Sequence, residues 1–542
     1  MSPPSPTKSE LLPSEEEGKG EVSLHPYLPD STTPSQTEGN GEVLIRKADS
    51  NENVDEAYTL AGDVAVSYTE EEEKRVRRKC DMIVLPILAS VYFSQFLDKT
   101  LLNYASITGL PITGTHYNQV SAAFYYGFLA CVYIQTYFAR KFNPTIYLGC
   151  NVVLWSIVLA CHAAAPRFAP FFALRFLLGA FESVVAPTLI TTVAAFYPKR
   201  EQASRIASFY MCNGLTQMFG PLVAFGTTYY SGAGLGGTGS AWKLLYIVFG
   251  AAAFVVGVCV ILFLPASPAH ARFLDDREKR VALERIRDNS SGTVVKGWKL
   301  YQIKDAVTDP KLYLALAFTL FSSVPNGALS SFSSLIIKQF GYTSRQTLLL
   351  SIPGGFVASC FTIGISILSD RTSERILPAI ICIVPAVIGL AILVGLGTDA
   401  KHHRPTAIFA TIIIQTFGSA LSLVYAWLAT NMGGTSKKQV ATFTNMFVFS
   451  VGNIIGSYVF TAPTAPAYVP GKTAVMICLI IAICLCIALR FYTAYEQRRK
   501  NRQLAQLREE KGWTDEDVAR EKDAAAFKDM TDRENVHFRY MS

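Results

Sequence analysis

Charge is what this chain has least of. Asp, Glu, Lys and Arg make up 17% of its 542 residues and apolar types half of them, where a soluble domain carries about a quarter charge. Histidine is sparse, seven in all, and only His402 and His403 are adjacent. The eleven cysteines offer no C-x-x-C spacing; ten lie inside apolar stretches and read as small buried hydrophobes with no disulfide framework. No G-x-x-x-x-G-K-[ST] loop occurs, which argues against nucleotide-driven work, and no hydrolase or metal signature points to an enzyme. No apolar leader follows Met1. Residues 1–75, rich in Ser, Pro, Glu and Gly, are expected to form a disordered cytosolic tail.

What the chain does have is a rhythm. Between Met82 and Tyr495 apolar stretches of about twenty residues recur, the length of helix that crosses a bilayer core of ~30 Å. They are read as spans 82–106, 119–139, 146–165, 169–196, 203–228 and 243–264, then 311–337, 346–368, 376–397, 405–430, 438–461 and 473–494. The expected fold is an all-α membrane protein of about twelve transmembrane helices in two pseudo-symmetric six-helix bundles, 76–268 and 311–495. A central loop (269–310) joins them and a tail (496–542) follows.

The net charge of +7 does not suggest nucleic acid, because its carriers sit in short loops on alternate sides. Lys74–Lys79, Arg140, Lys141, Lys199, Arg200, the 270–304 loop, Arg371, Arg375, Lys437, Lys438 and Arg498–Lys500 fall on one side. That bias predicts cytosolic termini. The sequon at Asn289 then lies in the cytosol and is expected to stay unglycosylated. The central loop carries a basic amphipathic segment from Asp275 to Asn289, expected to lie on the anionic inner leaflet as a connector. The charged start of the tail is expected to be a solvated helix.

Charge inside a span is expensive and marks function. Asp98 and Lys99 fall in the first span, Arg175 and Glu182 in the fourth, and the second half has almost none. At ~1.5 Å of rise per residue, Asp98 lies about 24 Å from one edge and Arg175 about 9 Å from the other, so the two share a depth and can pair. Lys99 faces about 100° away from Asp98 on an ideal helix. Glu182 sits near the midplane, where an unpaired carboxylate tends to be protonated. Each of these charges also has a structural reading, as a salt bridge that holds the first bundle together. Neutral polar groups complete a candidate cavity: Tyr125, Asn213, Gln217, Asn326, Gln415, Trp427, Asn431, Asn445 and Asn453, all of which serve equally well in interhelical hydrogen bonding. Gly354-Gly355 and Gly452-x-x-x-Gly456 read as close helix contacts.

Arg175-x-x-x-Gly179 in the fourth span, and Ser369-Asp370-Arg371 after the eighth, resemble motifs of the major facilitator superfamily, the latter implying a gating loop at Asp370 and Arg371. The first-half copy, Phe138-Ala139-Arg140-Lys141-Phe142, lacks the acidic residue. A narrower likeness covers about residues 75–540. Gln95-Phe96-Leu97-Asp98-Lys99, Arg175-Phe176-x-Leu178-Gly179-x-x-Glu182-Ser183 and Phe196-Tyr197-x-x-x-Glu201-Gln202-x-x-Arg205 carry its first part. Asn431-x-Gly433-Gly434-Thr435-x-Lys437-Lys438, Gly452-Asn453-Ile454-Ile455-Gly456 and Thr531-Asp532-Arg533-Glu534-Asn535 carry the rest. These resemble the fungal allantoate permease family of anion:cation symporters.

That resemblance implies alternating access around a cavity lined by spans 1, 4, 7 and 10, without cofactor, metal or nucleic acid. It implies uptake of a small organic anion or vitamin-like carboxylate with protons, in the plasma membrane. The chain is expected to act as a monomer. Arg175 and Lys99 would balance the carboxylate, Glu182 or Asp98 would carry the proton, and Asn326, Gln415, Trp427 and Asn431 would complete the substrate site. Two other readings stay open: proton-coupled export of a secondary metabolite, since Gly220-Pro221 partly resembles a drug-antiporter motif, and a nutrient receptor with a long regulatory tail.

Overall fold

The computed structural model describes residues 68–230, 241–286, 299–372, 374–465, 467–514, 516–518, 521 and 530–541. Asn289 and almost all of the predicted N-terminal tail lie outside them. Among the described residues there is no strand. The first half comprises α1 (Glu70–Ile107), α2 (Gly114–Lys141), α3 (Pro144–Cys161), α4 (Phe168–Glu182), α5 (Val185–Phe196), α6 (Lys199–Tyr210), α7 (Cys212–Thr227) and α8 (Ala241–Phe263). The connection holds α9 (Asp276–Arg285) and α10 (Leu300–Val307). The second half comprises α11 (Pro310–Lys338), α12 (Ser344–Thr372), α13 (Ile376–Leu396), α14 (Arg404–Ile414), α15 (Gly418–Asn431), α16 (Thr435–Ser457) and α17 (Val469–Lys511).

Three expected spans are each built from two helices: α4 with α5, α6 with α7, and α14 with α15. Among the described residues the halves then have six crossings each. Ten of the twelve are long and apolar enough to cross a bilayer by composition alone. The second and fifth carry more polar residues. In α2 the polar groups Tyr117, Asn118 and Ser121 are spent on contacts with the other half, and α6 opens on Lys199-Arg200-Glu201-Gln202. Large apolar side chains such as Ile134, Val255, Leu262, Phe356, Ile388 and Phe409 point outward from the bundle. A soluble protein would not tolerate that surface, which suits lipid.

The breaks have local causes. Pro187, in the first turn of α5, cannot donate to the Ser183 carbonyl, and its ring clashes there. The Ser183 hydroxyl turns back to Ala180 O at 2.8 Å. In the tenth span, Gln415–Phe417 winds as a single 3₁₀ turn, with the Thr416 hydroxyl donating to Cys382 O at 2.8 Å. The fourth crossing of each half is thus interrupted, at Glu182 in one and at Gln415 in the other.

Glycine sets the close crossings. A Cβ on Gly179 would stand 1.9 Å from Phe124 O, and one on Gly127 would stand 1.9 Å from Phe176 O, so α2 and α4 touch backbone to backbone. In the second half Gly456 approaches Val324 O in the same way, at 2.2 Å from a would-be Cβ. The Gly452-x-x-x-Gly456 face is therefore a helix contact, as its spacing suggested.

The start of α1, residues 530–541 and the two helices of the connection share one face of the bundle, called here the terminal face. Helix α1 takes in the last six residues of the expected disordered tail: Thr69 caps it, its hydroxyl accepting from Glu72 N while Glu72 Oε2 accepts from Thr69 N. The four glutamates of its first turn suit the positive end of the helix dipole. The connection's amphipathic helix, expected on lipid, packs instead on the first half. In α9, Val281, Ala282 and Leu283 are buried, and Arg285, 1% exposed at its side chain, bonds Glu201 at 3.1 Å and Glu73 at 3.4 Å. Its charged edge is matched by Lys79 on Glu278 (2.7 Å) and Arg277 on Glu72 (2.7 Å).

On the opposite, distal face the halves are stitched together. The Tyr117 hydroxyl donates to Ser331 O at 2.6 Å, Asn118 to Phe460 O at 2.8 Å, and Ser344 to Ile107 O at 2.6 Å. Arg345 reaches Thr228.

Candidate binding cavity at the seam of the two halves

Below the distal stitching, the two halves enclose a cavity of about 240 Å³. Its wall alternates aromatic rings with small polar groups. The first half contributes a stripe of α1 at helical spacing: Tyr92, Gln95, Phe96, Lys99, Asn103. The second half contributes Asn326, Ser330, Gln415, Tyr425 and Phe449, among others. Lys99 and Glu182 are the charged side chains of the lining, and both come from the first half.

Lys99 is held by rings rather than by a carboxylate. Its Nζ stands 5.4 Å from the Phe96 ring centre, 5.5 Å from Tyr125 and 5.6 Å from Phe449. The first two rings belong to one half and the third to the other. Such faces stabilise a cation by about 0.5–2 kcal/mol each, more where water is excluded, without neutralising it. Glu182 ends α4 at the break. Gln95 donates to its main-chain carbonyl at 3.2 Å, and both carboxylate oxygens are buried without a hydrogen bond. Lys99 is close enough for the two charges to feel each other.

Asp98, one residue from Lys99, points the other way. It is 1% exposed, lies outside the cavity wall, and faces Arg175 within electrostatic range. Arg175 Nη2 donates to the Tyr246 hydroxyl at 3.1 Å, and Tyr246 stacks on His162 at 5.0 Å. Arg175 is therefore packed in the core of the first half, 2% exposed, and not at the cavity wall where it was expected. The expected sharing of depth by Asp98 and Arg175 does bring them together, behind the wall.

Trp427 and Asn431 also leave the expected list of lining groups. They sit at the terminal end of α15, where residues 530–541 fold back onto the second half. Met541 O accepts from Trp427 Nε1 at 2.8 Å and from Asn431 Nδ2 at 2.9 Å, and Met541 N donates to Asn431 Oδ1 at 2.7 Å. The end of the tail is thus a buried strap. Asp532, 0% exposed, pairs with Lys311 of α11 and with Lys437 of α16, the latter at 2.7 Å; Tyr540 donates to it at 2.8 Å. Lys500 of α17 donates to the carbonyls of Asp532 and Asn535. Asn326 and Gln415 do line the cavity, with Asn326 Nδ2 donating to Asn453 Oδ1 at 2.9 Å. Asp370 and Arg371 are exposed at the end of α12 on the terminal face.

Two six-crossing halves around one seam cavity, with interrupted fourth crossings, suit a transporter, and comparison with known proteins agrees. The Major Facilitator Superfamily profile matches residues 82–457. The chain belongs to that superfamily. It is 31% identical over 490 residues to an uncharacterized transporter of Schizosaccharomyces pombe (89% of this chain, 90% of the relative). It is 31% identical over 509 residues to the allantoate permease of Saccharomyces cerevisiae (90% of each) and 30% identical over 497 to that yeast's thiamine pathway transporter (91% of each). Within the superfamily it falls with the fungal allantoate permease group, and it is a membrane transporter rather than an enzyme. Among solved structures, the inward open xylose transporter XylE from E. coli matches with a TM-score of 0.57 at 12% identity, covering 74% of this chain and 95% of that one. An inward-facing, occupied bacterial homolog of the lysosomal transporter Spinster matches at 0.55 and 15%, covering 75% and 96%. At such identities the likeness is one of fold.

Sequence reasoning passed over Gln95 and Asn103. The helical period from Lys99 reaches both, four residues back and four on, so the signal lay in the spacing.

Proposed function

We propose that this transporter carries a small organic anion together with a proton, from the distal face to a cytosolic terminal face, in the plasma membrane. The observation that carries the proposal is the pairing of a ring-caged Lys99 with a Glu182 carboxylate that has no hydrogen bond, both on the wall of one cavity. Lys99 would hold the substrate carboxylate and Glu182 the proton. Asp98 and Arg175 offset each other behind the wall and keep α1 and α4 in register.

Electrostatics then supplies the coupling. Empty, the lining holds one positive and one negative group. An anion bound alone adds an uncompensated charge in a medium of low dielectric, which costs several kcal/mol. Binding a proton at Glu182 along with the anion restores neutrality. Empty and doubly loaded cavities are both neutral, so those two forms cross between the inward and outward states most readily. The neutral amides Asn326 and Gln415 would read the remainder of the substrate.

The test is accumulation of labelled nicotinate, pantothenate, biotin and allantoate in transporter-deficient cells expressing this chain, at outer pH of about 5 and about 7.5. Uptake of one of them that rises in acid supports the reading. Uptake indifferent to pH removes the proton. Efflux from preloaded cells in place of uptake reverses the direction.

A further inference from the structure

The cavity does not end at its distal ceiling. A smaller chamber of about 30 Å³ lies beyond it, bordered by Ile337, Leu350, Ser351 and Thr411 and sharing Asn103, Tyr104, Gln217, Ser333 and Gln415 with the main cavity. The shared residues form the partition between the two. One of them crosses the seam. Asn103 of α1 donates from Nδ2 to Ser333 Oγ at 2.9 Å and accepts at Oδ1 from Ser334 N at 2.9 Å. Both ends of the amide are thus spent on consecutive residues of α11, in the opposite half, and Asn103 is 4% exposed.

We infer that Asn103 is a positioning residue of the distal gate: it latches α1 to α11 across the seam and seals the substrate cavity from the distal chamber. Several features fit this role. The receiving face of α11 is built of small hydroxyls, Ser330, Ser331, Ser333 and Ser334, which leave room for one helix to slide past the other. The neighbouring stitches, Tyr117 to Ser331 O and Ser121 to Ser331 Oγ (2.6 Å) and Ser457 Oγ (3.0 Å), lie beside it and not in the partition. Asn103 also lies one helical turn from Lys99, on the same stripe, so movement of the latch and of the charged wall is movement of one rigid segment of α1. When the seam opens, the freed amide faces the vestibule through which substrate arrives.

The inference rests on the two-sided transport reading but not on the identity of the substrate, and its test needs no substrate. Ser422, on the wall of the main cavity and behind the partition as seen from the distal face, is replaced by cysteine (Ser422→Cys), and cells are treated with a membrane-impermeant thiol reagent. Labelling is taken above that of the chain without the added cysteine, since native cysteines are present. The same labelling in inverted vesicles covers the opposite membrane orientation. With Asn103 in place the added thiol should react slowly. Adding Asn103→Ala, which removes two hydrogen bonds across the seam, should speed labelling by on the order of tenfold or more. Adding Ser333→Ala, which removes one, should give a smaller rise and serves if the Asn103 variant fails to reach the membrane. A rate unchanged by both substitutions, in cells and in inverted vesicles alike, overturns the gate. Absence of proton-coupled anion uptake would overturn the proposed function and leave this result standing.

Discussion

Lys99 stands 5.6 Å from the ring of Phe449, across the seam between the two halves. A charge in that position is enclosed only while the halves are together on its side. Its surroundings change with every opening, and on the proposed assignment the cavity's affinity for an anion changes with them.

Replacing Lys99 by methionine keeps the stem and removes the charge. The lost charge-assisted bond, worth about 1.5–3 kcal/mol, should raise the substrate KM roughly 10- to 100-fold. Lys99→Arg should recover part of that. The check is concentration-dependent uptake with surface expression measured in parallel. Equal KM in parent and Lys99→Met would take Lys99 out of the substrate site.

Glu182→Gln preserves shape and abolishes the exchangeable proton. Uptake should become insensitive to outer pH between about 5 and about 7.5, and accumulation against a gradient should collapse while exchange of substrate across the membrane persists. Proton dependence retained in this variant would move the proton site elsewhere.

Gly179 has no room for a side chain. In Gly179→Ala the new carbon would meet the Phe124 carbonyl at 1.9 Å, so α2 and α4 must separate. Overpacking of this kind costs about 1–3 kcal/mol or more. A lower melting temperature in detergent, and less protein at the cell surface, are the expected readouts. Gly226, with nothing near its would-be Cβ, is the control: alanine there should be tolerated.

The strap depends on Asp532. Burial alone would raise this carboxyl, but Lys311 and then Lys437 outweigh it and bring it down to about 2. A carboxylate lowered on folding contributes stability above its unfolded value of about 3.9, and that contribution is lost as pH falls towards 2. Protection of the last dozen residues from protease should therefore be flat from about pH 8 to about pH 5 and fail below about pH 3. Asp532→Asn breaks a buried pair, a loss of about 3–5 kcal/mol, and should expose the segment at every pH. A variant as protected as the parent would show that the strap is held by its backbone contacts to Asn431 instead.

The twelve crossings were legible because a bilayer imposes length and apolarity on each one. The two weakest, α2 and α6–α7, are weak because their polar groups serve other parts of the protein. Charge inside the spans was visible too, but its sorting was not. Asp98 and Lys99 are neighbours in sequence and face opposite environments, as the 100° turn per residue requires, yet only the packing decides which one meets the cavity. Arg175 and Glu182 share a face of α4; a separation of seven positions is enough to place one in the core against Tyr246 and the other on the cavity wall. Trp427 and Asn431 were misplaced for a different reason. Their partner, Met541, is more than a hundred residues away, and its contribution is a backbone carbonyl and amide that no side-chain pattern records. The breaks at Ser183 and Gln415 were hidden inside continuous apolar runs, although Pro187 marked the first.

The uneven distribution of charge around the cavity bears on how such carriers diversify. Lys99 and Glu182 both come from the first half, whereas Asn326, Gln415, Ser422 and Tyr425 of the second half are neutral. On the proposed assignment, energy conversion and cargo choice are housed in different halves of one chain. Substitutions in the second half can alter what fits without touching the groups that harness the gradient, so a new cargo lies a few neutral changes away from an old one.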